Sequence, residues 1–358
     1  MVVEIGIKAI LAVIMLMGAL NLAGLLTWVE RKQSAVMQDR IGANRATIFG
    51  IRILGLFHPL ADVLKMLTKE DFIPKGADKL LYTLAPFLSV FFAIPAFAAI
   101  PFGDAIQIGG RLVSLQVADL PVGLLYIFAM MSMGVYGVVL AGISSNNNYS
   151  FLGGLRASSQ MISYEITMGV AVIGIVMVYE SMNLQEIVHA QGGYLWNWIP
   201  KWGVLVQPLG AILFFVSALA ETKRIPFDLP EGESEIIGYF VEYSGMKFGM
   251  FFLTDFLETV LLSCMMTTLF FGGWQIPYLY PDGFSFPWGT LILLPRLWVV
   301  LLGVASFTLK VVFFCWFLMT IRWTLPRFRY DQLMRLGWKM ILPLSLANIL
   351  VTAAILLL

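Results

Sequence analysis

Apolar runs long enough to cross a bilayer recur eight times along the chain, separated by shorter polar segments. They cover approximately Ile5–Val29, Leu80–Pro101, Asp119–Ile143, Ser158–Tyr179, Val204–Ala220, Phe248–Gly272, Leu297–Thr320 and Lys339–Leu358. A hydrocarbon core of about 30 Å takes about 20 helical residues at about 1.5 Å each. None of the runs shows the short alternating strands of a barrel. The pattern predicts an all-α, polytopic membrane protein with eight transmembrane helices, forming a single membrane domain over residues 1–358. Glu4 and Lys8 flank the first run and no small-residue cleavage site follows it, so it reads as a retained helix rather than a signal peptide.

Three polar segments stand out between the runs: a long loop over 30–79, an acidic loop over 221–246 and a basic loop over 322–338. In the first, Ile53, Leu56, Phe57, Leu60, Leu64 and Leu67 recur at spacings of three and four, with Arg52, Asp62, Lys65 and Lys69 between them. That is the pattern of an amphipathic helix lying at the membrane interface, which by pattern alone is as simply a linker helix. The acidic loop carries Glu221, Asp228, Glu231, Glu233, Glu235 and Glu242 against only Lys223 and Arg224. Ile225, Phe227, Leu229 and a run from Ile236 to Val241 interleave with these charges, and a segment so apolar is expected to be partly buried rather than free in water.

Composition agrees with a membrane location, since 59% of residues are apolar and 13% charged, against roughly a quarter charged in a soluble domain. Lys and Arg are unevenly spread. Nine lie from Arg31 to Lys79 and five from Arg322 to Lys339, with Arg156, Lys223 and Arg224 in the other odd-numbered loops; the even-numbered loops hold only Arg111, Lys201 and Arg296. By the positive-inside rule the odd loops are cytoplasmic and both termini lie outside. Cys264 and Cys315 both fall within apolar runs, and His58 and His189 fall on opposite sides of the membrane. With no Cys-x-x-Cys, histidine cluster or glycine-rich phosphate loop, the sequence offers no metal site and no means of carrying electrons or hydrolysing a nucleotide. Redox or energy input has to come from a partner.

Carboxylates inside apolar runs are costly, at about 2.5–3.5 kcal/mol each at helix centre on insertion scales. Asp119, Glu165, Asp255 and Glu258 are the candidates. Such groups suit either a proton relay or a structural hydrogen bond to a neighbouring helix.

Several blocks together resemble one family. The strings ERKQSAVMQDRIGAN (Glu30 to Asn44) and HPLADVLKMLTKED (His58 to Asp71) look like the first loop of the quinone-site membrane subunit of respiratory complex I, in its bacterial and mitochondrial forms. The likeness continues at Ser144 to Ile166, at AETKRIPFDLPEGESEIIGYFVEYSGMKFGMFF (Ala220 to Phe252) and at Ile321 to Asn348. The chain departs from the family pattern at Ala43, His58 and Asp255-Phe256, and in lacking a tryptophan near Ile143 or Ser144. The resemblance implies a subunit of a proton-pumping NADH:quinone oxidoreductase in the bacterial inner membrane. Quinone would be the substrate, and Arg31, Asp62, Lys65, Arg224, Phe227, Asp228 and Arg322 would line or support its cavity. Glu165, Glu221, Glu231, Glu233, Glu235 and Asp255 would relay protons. Iron–sulfur clusters and flavin would reside in hydrophilic partner subunits on the cytoplasmic side, other membrane subunits would include antiporter-like ones, and no nucleic acid is involved. The membrane anchor of a hydrogenase or formate-hydrogen lyase would keep the amphipathic helix and acidic loop without quinone, although Leu325 to Met334 favours the quinone enzyme. A stand-alone ion transporter or channel would also explain the carboxylates, but the sequence shows no internal repeat and no broken-helix Gly/Pro pairs.

Overall fold

The computed structural model describes residues 2–108, 111–195, 198–229, 232 and 238–357. Among them, seven helices are long and apolar enough to cross a membrane, and the architecture is that of an all-α, multi-pass membrane protein. They are α1 (Val2–Met37), α3 (Lys79–Ala96), α4 (Gly123–Ser144), α5 (Asn148–Tyr179), α9 (Gly245–Phe270), α10 (Arg296–Thr324) and a continuous rod from Tyr330 to Leu357. The rod comprises α11 (Tyr330–Arg335), a π-turn over Leu336–Ile341 and α12 (Leu342–Leu357). Shorter helices are α2 (His58–Thr68), α6 (Leu184–Ala190), α7 (Gly203–Val206) and α8 (Pro208–Glu221).

Local chemistry explains the starts. Asp78 accepts from the amides of Leu80 and Leu81 at the head of α3, and Asn147 accepts from Tyr149 at the head of α5, each satisfying donors that a helix leaves orphaned. The predicted fifth span is the shortest, because Pro208 breaks it after Gln207 and leaves the 14 residues of α8. At about 1.5 Å per residue these reach about 21 Å. The fourth run begins ten residues earlier than its hydropathy suggests, so Arg156 sits within α5 rather than in a loop. The long loop is helical over its first residues, where α1 continues to Met37, and again over His58–Thr68, while Ile53, Leu56 and Phe57 lie in bends and turns. Pro59 stands in the first turn of α2, where its missing amide leaves no helical hydrogen bond unmade. No residue of α2 is buried.

Small residues let the helices approach closely. A Cβ on Gly142 of α4 would stand 3.0 Å from the Ser150 carbonyl and 3.3 Å from Gly154 Cα of α5. At the centre lies α9, which packs on α1, α2, α3, α6, α7, α8 and α10. Its start is fixed by Gly245 at φ 57°, whose backbone lies against the Lys69 carbonyl at the end of α2.

Polar segments collect at two opposite ends. One, here the basic end, gathers the segment around α2 and the loops after α4, α8 and α10, tied by Asp78–Ser144, Asn147–Glu242, Lys247–Asp71 and Phe328–Pro226 contacts. The other, the hairpin end, holds the short antiparallel strands that qualify the helical expectation: β1 (Ile106–Ile108) with β2 (Arg111–Val113), β3 (Tyr194–Leu195) with β4 (Ile199–Pro200), and a meander of β5 (Leu279–Tyr280), β6 (Gly283–Ser285) and β7 (Leu291–Leu293).

Candidate functional site

Two charged layers meet at the basic end, joined by a pair of consecutive residues. Lys223, just past α8, adopts a left-handed backbone at φ 55°, and its side chain and that of Arg224 serve different partners. The Lys223 ammonium, 1% exposed, lies 3.0 Å from Asp255 Oδ1 and 3.5 Å from Glu258 Oε2, and 5.9 Å from the centre of the Tyr239 ring. Arg224 instead donates to Glu30 Oε2 at 3.1 Å, and its guanidinium stacks 3.9 Å over the ring of Phe256, the neighbour of Asp255. Arg322, at the end of α10, holds the other oxygen of Glu30. Two arginines therefore share one carboxylate, and the layer carries a surplus positive charge.

Burial alone would drive the Lys223 ammonium down from its ordinary value. The carboxylates of Asp255 and Glu258 reverse this, and the balance leaves it well above that value. The lysine is therefore a fixed cation, as expected of a buried ammonium with two acidic partners.

Around these layers the remaining predicted residues fall into smaller groups. Arg31 of α1 pairs with Asp62 of α2. Asp228 pairs with Arg327 at 3.0 Å. Phe227 stacks on Phe328 with centroids 5.4 Å apart and leans on Tyr164. Gln160 of α5 holds this turn by donating to the carbonyls of Ala220 and Phe227 at 2.7 and 2.8 Å. Lys65 is exposed on α2, outside this cluster. Glu221, the last residue of α8 and 1% exposed, lies within electrostatic reach of Glu165, Glu258 and Lys223. Glu165 accepts from the Ser132 hydroxyl and lines a groove of about 1060 Å³ between α4 and α5. Glu231, Glu233 and Glu235 lie outside the described residues. Asp119 is an exposed acceptor for Asn183 at 2.7 Å, which is a structural bond.

Sequence reasoning missed four members. Glu30 directly precedes Arg31, and its position at the end of an apolar run was the available signal. Lys223 was counted only for topology, and Arg327 only as a loop charge. Lys310 is enclosed in α10, where its ammonium donates to the carbonyls of Phe271, Gly273 and Gln275 at 2.9, 3.0 and 2.7 Å. A lone lysine in an apolar run was itself the signal there.

Chemically, the arrangement sets a cationic layer open to the basic end against an interior cluster of carboxylates around a fixed lysine. That defines a multi-pass membrane protein whose charged groups run from one end into buried carboxylates. The chain belongs to the NADH dehydrogenase family, whose profile matches residues 8–353. It is 45% identical to the first H-type chain of the NADH-quinone oxidoreductase of Cytophaga hutchinsonii, covering 93% of this chain and 91% of that one. Identity is 46% to the corresponding chain of Geobacter metallireducens, over 95% of this chain and 93% of the relative. The H-type chain of the Bdellovibrio bacteriovorus enzyme is 40% identical, over 98% and 96%.

Proposed function

We propose that this chain is the quinone-site membrane subunit of a proton-pumping NADH:quinone oxidoreductase, transmitting charge from a cavity at its basic end to carboxylates within the membrane. The observation that carries the reading is the split of Lys223 and Arg224 between two layers, matched by the split of Asp255 and Phe256 opposite them. Reduction places negative charge on the quinone oxygens, and preorganised guanidinium groups stabilise developing charge of that sign. Arg224 and Arg322 would then be drawn from Glu30 toward the substrate. Because Arg224 is bonded directly to Lys223, a shift of one moves the other, and the Lys223 ammonium changes its hold on Asp255 and Glu258. Proton occupancy of that pair responds, and Glu221 and Glu165 extend the path toward the α4–α5 groove. Arg31, Asp62, Phe227 and Asp228 shape the cavity walls, with Lys65 at its margin and Glu231, Glu233 and Glu235 on the acidic loop.

In this reading the chain lies in the bacterial inner membrane, with the basic end facing the cytoplasm and both termini outside. Hydrophilic partners carrying flavin and iron–sulfur clusters cap the basic end, and antiporter-like membrane subunits receive the coupling signal. The test is Arg322→Ala in the assembled complex. Quinone-linked turnover should fall about 10²-fold, while transfer from the donor to a soluble artificial acceptor continues. Arg322→Lys should recover part of the loss, since a point charge lacks the guanidinium fork. Equal loss of both activities would mean that Arg322 serves assembly alone.

A further inference from the structure

Between α1 and α2 the chain doubles back along α1 over residues 38–57. Its start is pinned where the Lys32 ammonium donates to the Ile41 carbonyl at 3.1 Å, and where a Cβ on Gly42 would stand 2.7 Å from that of Ala35. Its return is pinned by the Trp28 indole, which donates to the Leu54 carbonyl at 3.0 Å. Trp28 precedes the end of α1 at Met37 by about 14 Å of helix, so the returning strand lies well back from that end. At the tip Ile48 and Ile51 exchange backbone bonds across Phe49 and Gly50, both at positive φ, 50° and 81°. That is the backbone of a tight hairpin turn, where asparagine or aspartate is the usual first residue and a phenylalanine fits poorly. Turn formation does not account for Phe49.

The surface of this segment is apolar and basic at once. Ile41, Ile48, Phe49, Ile51, Ile53 and Leu54 are exposed, Phe49 completely. Arg40, Arg45 and Arg52 stand among them against Asp39 alone. Arg45 and Arg52 are exposed, and among the described residues neither has an ion-pair partner. Exposed apolar side chains interleaved with arginine are the composition of an element lying in a membrane interface.

Leu56 and Trp28 close one end of a groove of about 790 Å³ between α1 and α10. It runs past Leu22 and Leu25 on α1 and past Leu309, Phe313 and Trp316 on α10, the last three all exposed. Its one charged residue, Lys310, turns its ammonium onto the carbonyls of Phe271, Gly273 and Gln275, so the walls are apolar. Leu22 and Leu25 also line a largely apolar hollow of about 410 Å³ that continues along α1 to Leu11. From Leu11 to Val29 is about 27 Å of helix, against a hydrocarbon core of about 30 Å, so the trough accommodates the acyl chain of one leaflet with room beyond. None of the groove's lining residues belongs to the charged layers around Glu30 and Lys223.

We propose that the groove and the doubled-back segment together bind one anionic phospholipid of the leaflet at the basic end, its acyl chain between α1 and α10 and its phosphate on Arg45 and Arg52. Arg52 precedes Leu54 by two residues, which keeps it within about 7 Å of backbone from the groove's mouth, and the Ile48–Ile51 pairing folds the strand of Arg45 back beside it. Guanidinium groups without a carboxylate match a phosphate, which takes forked bonds. Ile48, Phe49 and Ile51 enter the boundary between headgroups and acyl chains. A hydrophilic protein capping the basic end is a poorer occupant, because the returning strand lies back along α1, beside the exposed side chains of the groove.

The test uses the detergent-purified complex, washed free of loosely held lipid and titrated with phosphatidylglycerol or with phosphatidylcholine of the same chains, bound lipid being counted by native mass spectrometry. Arg45→Gln/Arg52→Gln changes two exposed side chains, and it should bind one phosphatidylglycerol fewer than wild type, with affinity at that site lower by about thirtyfold and phosphatidylcholine binding unchanged. Leu309→Trp, which fills the groove from an exposed position, should lose the same lipid with both arginines in place. Equal phosphatidylglycerol binding in wild type and either variant would overturn the site. A nitroxide on Phe49→Cys identifies what covers the tip, since Cys264 and Cys315 are buried. Relaxation by dissolved oxygen should exceed that by a water-soluble nickel chelate; the reverse order, or exclusion of both as beneath a partner protein, would overturn the assignment. None of these measurements requires turnover, so they stand or fall apart from the quinone-site reading.

Discussion

Replacing Lys223 by Met keeps the length of the side chain and removes the one cation that Asp255 and Glu258 share. Lys223 is 1% exposed, and its partners are 6% and 7% exposed, so water compensates little on either side. Breaking a buried ion pair from one side costs about 3–5 kcal/mol, because the surviving charge is left without a counterion. Here two carboxylates survive, and they also repel each other. At about 1.4 kcal/mol per factor of ten, the shift against the assembled state is roughly a hundred- to a few-thousandfold. Detergent-purified complex carrying Lys223→Met should therefore contain less of this chain, and its quinone reductase should inactivate at a lower temperature. Adding Asp255→Asn and Glu258→Gln removes the orphaned charges, so the triple variant should recover assembly while remaining uncoupled. The pH dependence follows from the raised pKa of Lys223. A cation whose native value lies above its unfolded one stabilises fully below the unfolded value, near about 10.4, and loses that contribution only as pH rises through the native value. The lysine's own titration should cost wild-type thermal stability nothing across about pH 6 to 9, whereas acid, by protonating the orphaned carboxylates, should partly rescue Lys223→Met. A Lys223→Met complex as heat-stable as wild type at neutral pH, with no gain in the triple variant, would refute the claim that this lysine holds the cluster together.

Further outcomes are expected elsewhere. A cysteine in place of exposed Lys75 at the basic end should react with an impermeant reagent only from the cytoplasmic side, and one in place of exposed Asp282 at the hairpin end only from outside; the reverse labelling would invert the orientation. Glu165→Gln keeps the bond to Ser132 but cannot titrate, so the complex should assemble normally while proton uptake per turnover falls. Unchanged uptake would reduce Glu165 to a structural bond.

How much of this could be read from the sequence depended on the range of the interaction. The membrane class, the long helices and the amphipathic character of α2 are local patterns. The early start of α5 was hidden because Ser150, Gly153 and Gly154 read as loop by hydropathy. They are helical because Asn147 caps the start and because their small side chains fit against α4 and Tyr239. Pro208 gave fair warning of a broken fifth run, although the hydropathy on both sides of it concealed the break. Pairings were less legible still. Lys223 meets Asp255 and Glu258 only after the chain has passed through the acidic loop, and Glu30 meets Arg224 and Arg322 across most of the chain's length. Charge counting treats every lysine alike, so nothing in the local sequence separated Lys223, enclosed by protein, from those in open loops, and Lys310 stood out only by lying within an apolar run.

The position of α9 at the centre also bears on how the protein is made. It is the least apolar of the seven long helices, and Asp255 and Glu258 each add about 2.5–3.5 kcal/mol to the cost of its entering lipid alone. Translation delivers α8 and Lys223 before α9 emerges, so the cation that neutralises those carboxylates is already at the membrane when they arrive. The order of residues along the chain is thereby also an order of insertion, in which the most polar helix enters a site its predecessors have prepared. Moving Lys223 to a position after α9 would preserve composition and net charge while stranding the helix at the moment of its insertion.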